Sequence, residues 1–503
     1  MIDKLIKFSI NNKLVIGLFV LGLIAWGSYS LKHLPIDAVP DITNNQVQII
    51  TIAPSIAAQE VERLISFPIE TTMATIPDIE EIRSFSRFGL SAVTIVFKDE
   101  VDVYWARQQV SERLVEAKSK IPANIGSPEM APVTTGLGEI YQYVVHTEPG
   151  YEDKYSPMEL RTIQDWIIKR QLLGTPGVAD VSSFGGYLKQ YQISVAPNQL
   201  KAMDVSIVEI YVALEQNNQN TGGAYIDKKP NAYFIRSEGM ISSLEDIEKI
   251  VVKNTIDGSP ILIRDLAKVE FGKATRYGAT VRNGEGEVVS SIVMMLKGEN
   301  SNQVISNIKE RIEQIKKTLP EGVSIEPFLD RSKLVDSAIG TVTTNLIEGA
   351  LIVIFILILF LGNLRAGLIV ASVIPLAMLF AISMMHLFGV SGNLMSLGAI
   401  DFGLIVDGAV IIVESILHRI VMNKKKLSHI KVLSQTQMND EVYEASSKIR
   451  STAAFGEIII LIVYLPILVL VGIEGKMFAP MAQTVSFAIL GAFLLSLTYV
   501  PMM

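Results

Sequence analysis

Residues 394–417 read LMSLGAIDFGLIVDGAVIIVESIL, an apolar run that contains three acids, Asp401, Asp407 and Glu414. The run is long enough to cross a bilayer, which takes about 20 apolar residues. An ionised acid at the middle of a membrane helix costs roughly 2.5–3.5 kcal/mol even on lenient insertion scales. Three on one helix point to a use. The usual one is a proton relay, because a carboxyl carries a proton in its neutral form and releases it beside water. On a straight helix Asp407 and Glu414 share a face, about 10 Å apart along the axis. Asp401 lies about 9 Å from Asp407 and is rotated about 120° away. Asp407 is the natural centre. Gly403, Gly408 and Ala409 would let a neighbouring helix approach closely, which desolvates the carboxyl and tunes it for proton exchange. The alternative is that the acids only pair with groups on other helices.

Five further apolar segments lie at roughly 14–32, 340–361, 366–389, 451–471 and 482–503. The first follows Lys4, Lys7 and Lys13, is longer than a signal-peptide core and has no small-residue cleavage site after it, so it reads as a retained membrane helix. Basic residues set the orientation. Lys4, Lys7 and Lys13, then Arg365, then Arg419, Lys424, Lys425, Lys426, Lys431, Lys448 and Arg450 alternate with a basic-free turn at 389–393. An N-inside topology places all of them in the cytoplasm, with a basic loop at about 418–450. The polar region between the first two helices then lies outside. Glu348 and Glu457 are two more acids in apolar segments, near helix ends, and are accessory relay candidates or packing contacts. Apart from Lys32 at the end of the first, none of the six segments contains a lysine. The chain ends at Met503 inside the sixth segment, and we expect it to be part of a longer protein.

The outer region is α/β in pattern. Gln46–Ile52 alternates like a strand, 57–72 looks helical, and Leu90–Phe97 is a second strand. Asp102–Lys120 is amphipathic, with Tyr104, Val110, Leu114 and Val115 on or near one face. There is an internal echo. The strand Ile95–Lys98, a helix and Pro122 recur as the strand Ser291–Lys297, a helix and Pro320, and the two intervals differ by one residue. Two copies of a split βαβ unit would produce this. Between the copies, residues 196–271 are rich in turns, as an insertion would be. We therefore expect a membrane bundle of six helices plus a large periplasmic α/β part.

Composition narrows the function. The chain has 503 residues, 49% of them hydrophobic, and a net charge of −7, which gives no reason to expect nucleic-acid binding. It has no cysteine, so thiolate metal sites and disulfides are excluded. His33, His146, His386, His418 and His429 show no metal-ligand spacing. The tripeptide DFG at 401–403 lacks every other kinase motif, and there is no Walker A loop. ATP is an unexpected energy source and no cofactor is expected.

Six runs in order, LPIDAVPDITNNQVQI (34–49), GLGEIYQY (136–143), LRTIQDWIIKRQL (160–172), LDRSKLVD (329–336), LGNLRAGLIV (361–370) and DFGLIVDGAVIIVES (401–415), resemble the heavy-metal efflux branch of the resistance-nodulation-division transporters. The resemblance spans essentially the whole chain. It implies ferredoxin-like porter subdomains at 34–135 and 136–339, a docking insert at about 185–275, and membrane helices at 1–33 and 340–503. It implies a secondary transporter of the bacterial inner membrane rather than an enzyme: a homotrimer driven by the proton gradient, working with a periplasmic adaptor and an outer-membrane channel. This chain would be the N-terminal half. Asp401, Asp407 and Glu414 fall on the family's acidic motif, with Asp407 as principal proton carrier. Copper and silver members lack an acid at the Asp401 position and tend to carry an aromatic at that of Glu139. Glu139 and Asp180 resemble carboxylate ligands of the zinc-type branch, and carboxylates suit divalent ions where thioethers suit Cu(I). The expected cargo is zinc, cobalt, cadmium or nickel. Rival readings are a copper/silver pump, a multidrug exporter with an apolar periplasmic pocket, and a secretion accessory with similar helices.

Overall fold

The structure is a computed structural model that describes residues 2–37, 39–122, 124–255, 257–276, 278–284, 286–426 and 434–503. His429 and Lys431 lie outside the described residues. Two α/β units of like topology stand on a helical bundle. In the first, β1 (Gln46–Ile52), β2 (Ile79–Arg87), β3 (Leu90–Phe97) and β4 (Pro128–Met130) form an antiparallel sheet in the order β2-β3-β1-β4. Helical residues 58–73 and the helix Val103–Lys120 cover one face. The buried side of Val103–Lys120 is Ala106, Val110, Leu114 and Ala117; Tyr104 and Val115 face solvent, contrary to the sequence reading. Spacings of four, four and three keep one stripe on the core, and Val115 falls outside it. Asp102 accepts the amide protons of Tyr104 and Trp105 and starts this helix.

The second unit has the same order. Its strands are β5 (Glu139–Thr147), β6 (Val178–Phe184), and then, after a long excursion, β14 (Glu287–Met295) and β15 (Val323–Asp330), arranged β15-β5-β14-β6. The excursion contains β7 (Lys189–Val195), β8 (Thr221–Lys228), β9 (Asn231–Ser237), β10 (Val251–Asn254), β11 (Pro260–Leu262), β12 (Ala267–Lys273) and β13 (Thr280–Val281). Strand β7 leaves and β12 returns as an antiparallel pair over a separate core of Leu200, Ile210, Ile247, Ile263 and Leu266. The first helices of the two units also match in detail. Each has one wide turn, in which Phe67 donates to the Glu62 carbonyl and Lys169 to the Gln164 carbonyl, five residues back.

Five helices among the described residues are long and apolar enough to cross a membrane: Lys13–His33, Arg331–Leu361, Leu364–Phe388, the span Leu394–Met422 and Gly472–Met502. The expected segment at 451–471 lies largely within Gln435–Leu468, which bends by 46° between Ile449 and Ala454 and counts as a sixth span if the bent pair is taken as one. Gly472–Met502 sits at the centre, 61% buried, and Arg331–Leu361 at the rim, 6% buried, its Leu351, Ile352, Phe355 and Phe360 turned outward. An outward apolar surface is what lipid requires. Close contact at the centre rests on small residues: a Cβ on Gly491 would lie 2.7 Å from Phe380 Cδ1.

Several boundaries move. The helix expected from 340 begins at Arg331, capped by Asp330, which accepts the Ser332 amide at 3.0 Å. The sixth begins at Gly472 rather than 482, so Lys476 lies inside a membrane helix after all. The expected N-terminal tail contains a helix, Ile2–Asn11, that buries Ile6 and Ile10. Most of the expected basic loop is helical: the fourth span continues to Lys426 and the next helix starts at Gln435. Polar sequence was read as loop there, but amphipathic helices that pack on a bundle end need only one apolar stripe. Arg419 joins the two helices, at 2.5 Å from Glu441 and also paired with Glu444.

Candidate functional site

The fourth span is not one straight helix. A first helical turn, Leu394–Gly398, is closed by a capping box in which the Asn393 carboxamide oxygen accepts the Ser396 amide at 2.9 Å. The chain then breaks, and a second helix runs Phe402–Lys426. Asp401 sits at the break. Its Oδ1 accepts the Gly403 amide at 2.8 Å, the competition with backbone hydrogen bonding that makes Asp a helix starter. The 120° offset expected on an unbroken helix therefore does not apply to Asp401.

Asp407 and Glu414 share the outward face of Phe402–Lys426, while Phe402, Ile405, Val406, Ala409, Ile412 and Val413 face the bundle. Asp401, Asp407 and Glu414 are all exposed. Asp407 and Glu414 have no hydrogen-bond or ion-pair partner among the described residues. Glu348 is exposed on the rim helix, beside Gly349, whose Cβ position lies 3.4 Å from the Phe402 ring. Glu457 is different: it is 2% exposed, inside the bundle, against Gly408. The close approach expected at Gly408 is made by the Gln435–Leu468 helix, whose Glu457 packs against this glycine.

Two polar clasps tie the bundle to the α/β units. In the first, Asp37, just after the Lys13–His33 helix, accepts the Ser301 hydroxyl at 2.9 Å and lies 3.6 Å from Arg331. Arg331 opens the rim helix and donates to the Leu137 carbonyl. Burial pushes the Asp37 carboxyl above its usual range, against the opposing pull of Ser301 and Arg331. Asp330 pairs with Lys309 at 2.6 Å. In the second clasp, Lys476 Nζ lies 2.7 Å from Asp99 and 3.3 Å from the Thr43 carbonyl oxygen. Lys476 is thus engaged outside the bundle rather than beside Asp407. Sequence reasoning missed both clasps, because their members lie far apart in the chain; a charge at a helix start was the only local signal.

The candidate cargo ligands lie on the second sheet. Glu139 on β5 and Asp180 on β6 both pair in register with Met294 on β14, which runs between them. Val293 and Met295 face the core, so the row Glu139–Met294–Asp180 lies on the sheet face turned away from it. Glu139 accepts from Gln142 Nε2 at 3.3 Å, and Asp180 lies 3.9 Å from Lys169 Nζ. No group of three or more Asp, Glu or His side chains suited to a metal ion occurs among the described residues. Two carboxylates are half of a four-ligand zinc set.

Known proteins share this fold. A family model for the AcrB/AcrD/AcrF family matches residues 5–503. The chain is 46% identical over 505 residues to the cobalt-zinc-cadmium resistance protein CzcA of Cupriavidus metallidurans, covering 100% of this chain and 47% of that protein. It is 42% identical over 532 residues to the nickel and cobalt resistance protein CnrA of the same organism, covering 100% of this chain and 49% of that one. A solved structure of a heavy metal efflux pump superposes with a TM-score of 0.86 at 33% identity, over 99% of this chain and 48% of the pump. The chain spans about half the length of the curated relatives it matches. With the acidic span, the twin α/β units and the match over 5–503 together, the chain belongs to the AcrB/AcrD/AcrF family of resistance-nodulation-division transporters.

Proposed function

We propose that this chain is the N-terminal half of a proton-driven exporter of divalent heavy-metal cations, zinc first, with cobalt, cadmium and nickel as the other candidates. The observation that carries the reading is the stripe of Asp407 and Glu414 on one face of a bilayer-crossing helix with no partner among the described residues. Carboxyls facing lipid are costly, so this face is where we place the second half of the protein, which would supply any cationic partner. Asp407 takes a proton from the outer side and releases it inward, with Asp401 and Glu414 on either side of it along the span and Glu348 as an accessory group. The bundle's tilt reaches the α/β units through the Asp37–Arg331 and Lys476–Asp99 clasps and opens or closes the cleft above.

In this reading the units at 34–135 and 136–339 are the porter subdomains and residues 185–275 the docking insert. Glu139 and Asp180 supply oxygen ligands to the passing ion, suited to a hard divalent cation, and the second half completes the set. The protein works as a homotrimer in the inner membrane with a periplasmic adaptor and an outer-membrane channel. Exposed Tyr225, Tyr233 and Phe234 on the β8–β9 hairpin support a docking role for the insert.

The test is flux in proteoliposomes containing the complete protein under an imposed pH gradient, with Zn²⁺ compared against Cu⁺. We expect Zn²⁺ movement that Asp407→Asn abolishes. Cu⁺ movement instead would overturn the cargo assignment and leave the relay standing. Undiminished Zn²⁺ flux in Asp407→Asn would overturn the relay.

A further inference from the structure

Glu457 is the most deeply buried acid in the bundle. It is 2% exposed, and neither carboxyl oxygen has a hydrogen-bond partner among the described residues. Its surroundings leave it little room. A Cβ on Gly408 would sit 1.7 Å from Glu457 Oε1, so only a glycine admits the carboxyl at this crossing. Ser496 on the central helix is 1% exposed and lies 3.5 Å from the same Gly408 Cβ position. An ionised carboxylate so placed, with no donor at either oxygen, is strongly disfavoured, whereas a carboxylic acid is tolerated.

Among the described residues the charged groups around it are few. On Phe402–Lys426, Asp407 is the chain neighbour of Gly408, the residue against which Glu457 Oε1 packs. On Gly472–Met502 the charged residues are Glu474 and Lys476, about 30 Å along that helix from Ser496. On Ile2–Asn11, Asp3 meets Ser447 and Lys7 meets Tyr443, at least ten residues along the helix from Glu457. Asp407 is therefore the nearest charged residue among these.

We propose that Glu457 is a second proton-carrying carboxyl, exchanging its proton with Asp407 across the Gly408 crossing. The step is a transfer from the Asp407 carboxylic acid to the Glu457 carboxylate, leaving Asp407 ionised and Glu457 neutral. The arrangement described here is the one after transfer: Glu457 is dry and neutral and the seam between the two helices is closed. Returning the proton requires the seam to part enough to solvate Glu457. Proton movement is thereby tied to a helix–helix displacement, which a relay on the exposed face of one helix would not provide. This inference rests on Asp407 carrying protons.

The test uses the complete protein in proteoliposomes, with Zn²⁺ as cargo and a pH gradient as drive. Glu457→Gln preserves the shape and neutrality of the acid form, so a merely structural carboxyl would tolerate it. We expect it to lower Zn²⁺ flux about tenfold or more, with melting behaviour and trimer retained, and to remove one protonated-carboxyl band from the pH-difference infrared spectrum. Wild-type flux in Glu457→Gln, or an unchanged infrared spectrum, would overturn the proposal while leaving Asp407 in place. Full flux in Asp407→Asn would overturn the relay itself, and this inference with it. If Glu457→Gln does not fold, Glu457→Asp decides: the proposal requires a displaced pH profile of flux, and an unchanged profile overturns it.

Discussion

At Gly408 the absence of a side chain decides how two membrane helices meet. The glycine lets Glu457 reach the seam, and any added carbon collides with Oε1. Overpacking of this kind costs about 1–3 kcal/mol. Gly408→Ala should therefore lower the melting temperature of the purified protein, and Glu457→Ala in the same chain should recover most of the loss; independent, additive effects in a double-mutant cycle would show that the two residues are not in contact. Asp407, one residue away, should behave differently. Asp407→Asn keeps the size of the side chain and removes no packing, so we expect lost proton-coupled flux with little change in melting. Both residues were visible in the sequence as acids or glycines within an apolar run. Their different surroundings were not, since a helical projection shows which residues share a face but not which neighbour covers it.

Among the elements, helix starts carry much of the local order. Asp246 accepts from Ser242 and Ser243 at the head of Leu244–Glu248 in the inserted unit, and the Ser242 hydroxyl and the backbone amides hold its carboxyl down to about 2, from an ordinary 3.8. A depressed acid stabilises the folded state above its unfolded value, and that contribution is lost as pH falls through the folded one. Asp246→Asn should thus melt below wild type at neutral pH, and the gap should close between pH 3.8 and about 2, as followed by circular dichroism. Such caps are legible as Ser-x-x-Asp. The break at Asp401 was less so. The acid reads equally well as a buried relay group and as a cap, and only the Gly403 amide at 2.8 Å decides that it caps. Likewise 418–450 carries so many polar residues that its helices were hidden; their apolar stripe is narrow and their partners, such as Arg419 with Glu441, come from different segments.

For the molecule as a whole, the proposed function requires the bundle to move the α/β units. Arg331 touches three segments at once: Asp37 after the first membrane helix, Leu137 before β5, and the rim helix that it opens. Arg331→Ala should leave proton binding by the bundle intact yet sharply reduce metal flux. The check is to measure pH-jump proton uptake and Zn²⁺ transport on the same preparation; a parallel fall in both would mean that the residue supports folding rather than coupling. Arg331→Lys should recover flux only in part, because an ammonium does not reproduce the guanidinium fork that reaches Asp37 and the Leu137 carbonyl together.

The apolar spans, their acids and the repeated strand–helix pattern were all determined by the sequence, because each is a local property of composition and period. The duplication also left a measurable trace, Lys98 to Pro122 against Lys297 to Pro320. Only the tertiary structure decided that Glu457 is buried while Asp407 is open, that Lys476 clasps Asp99, and that Glu139 and Asp180 flank Met294 in one row. These are relations between segments far apart in the chain, and burial and pairing depend on which surfaces meet rather than on which residues follow one another.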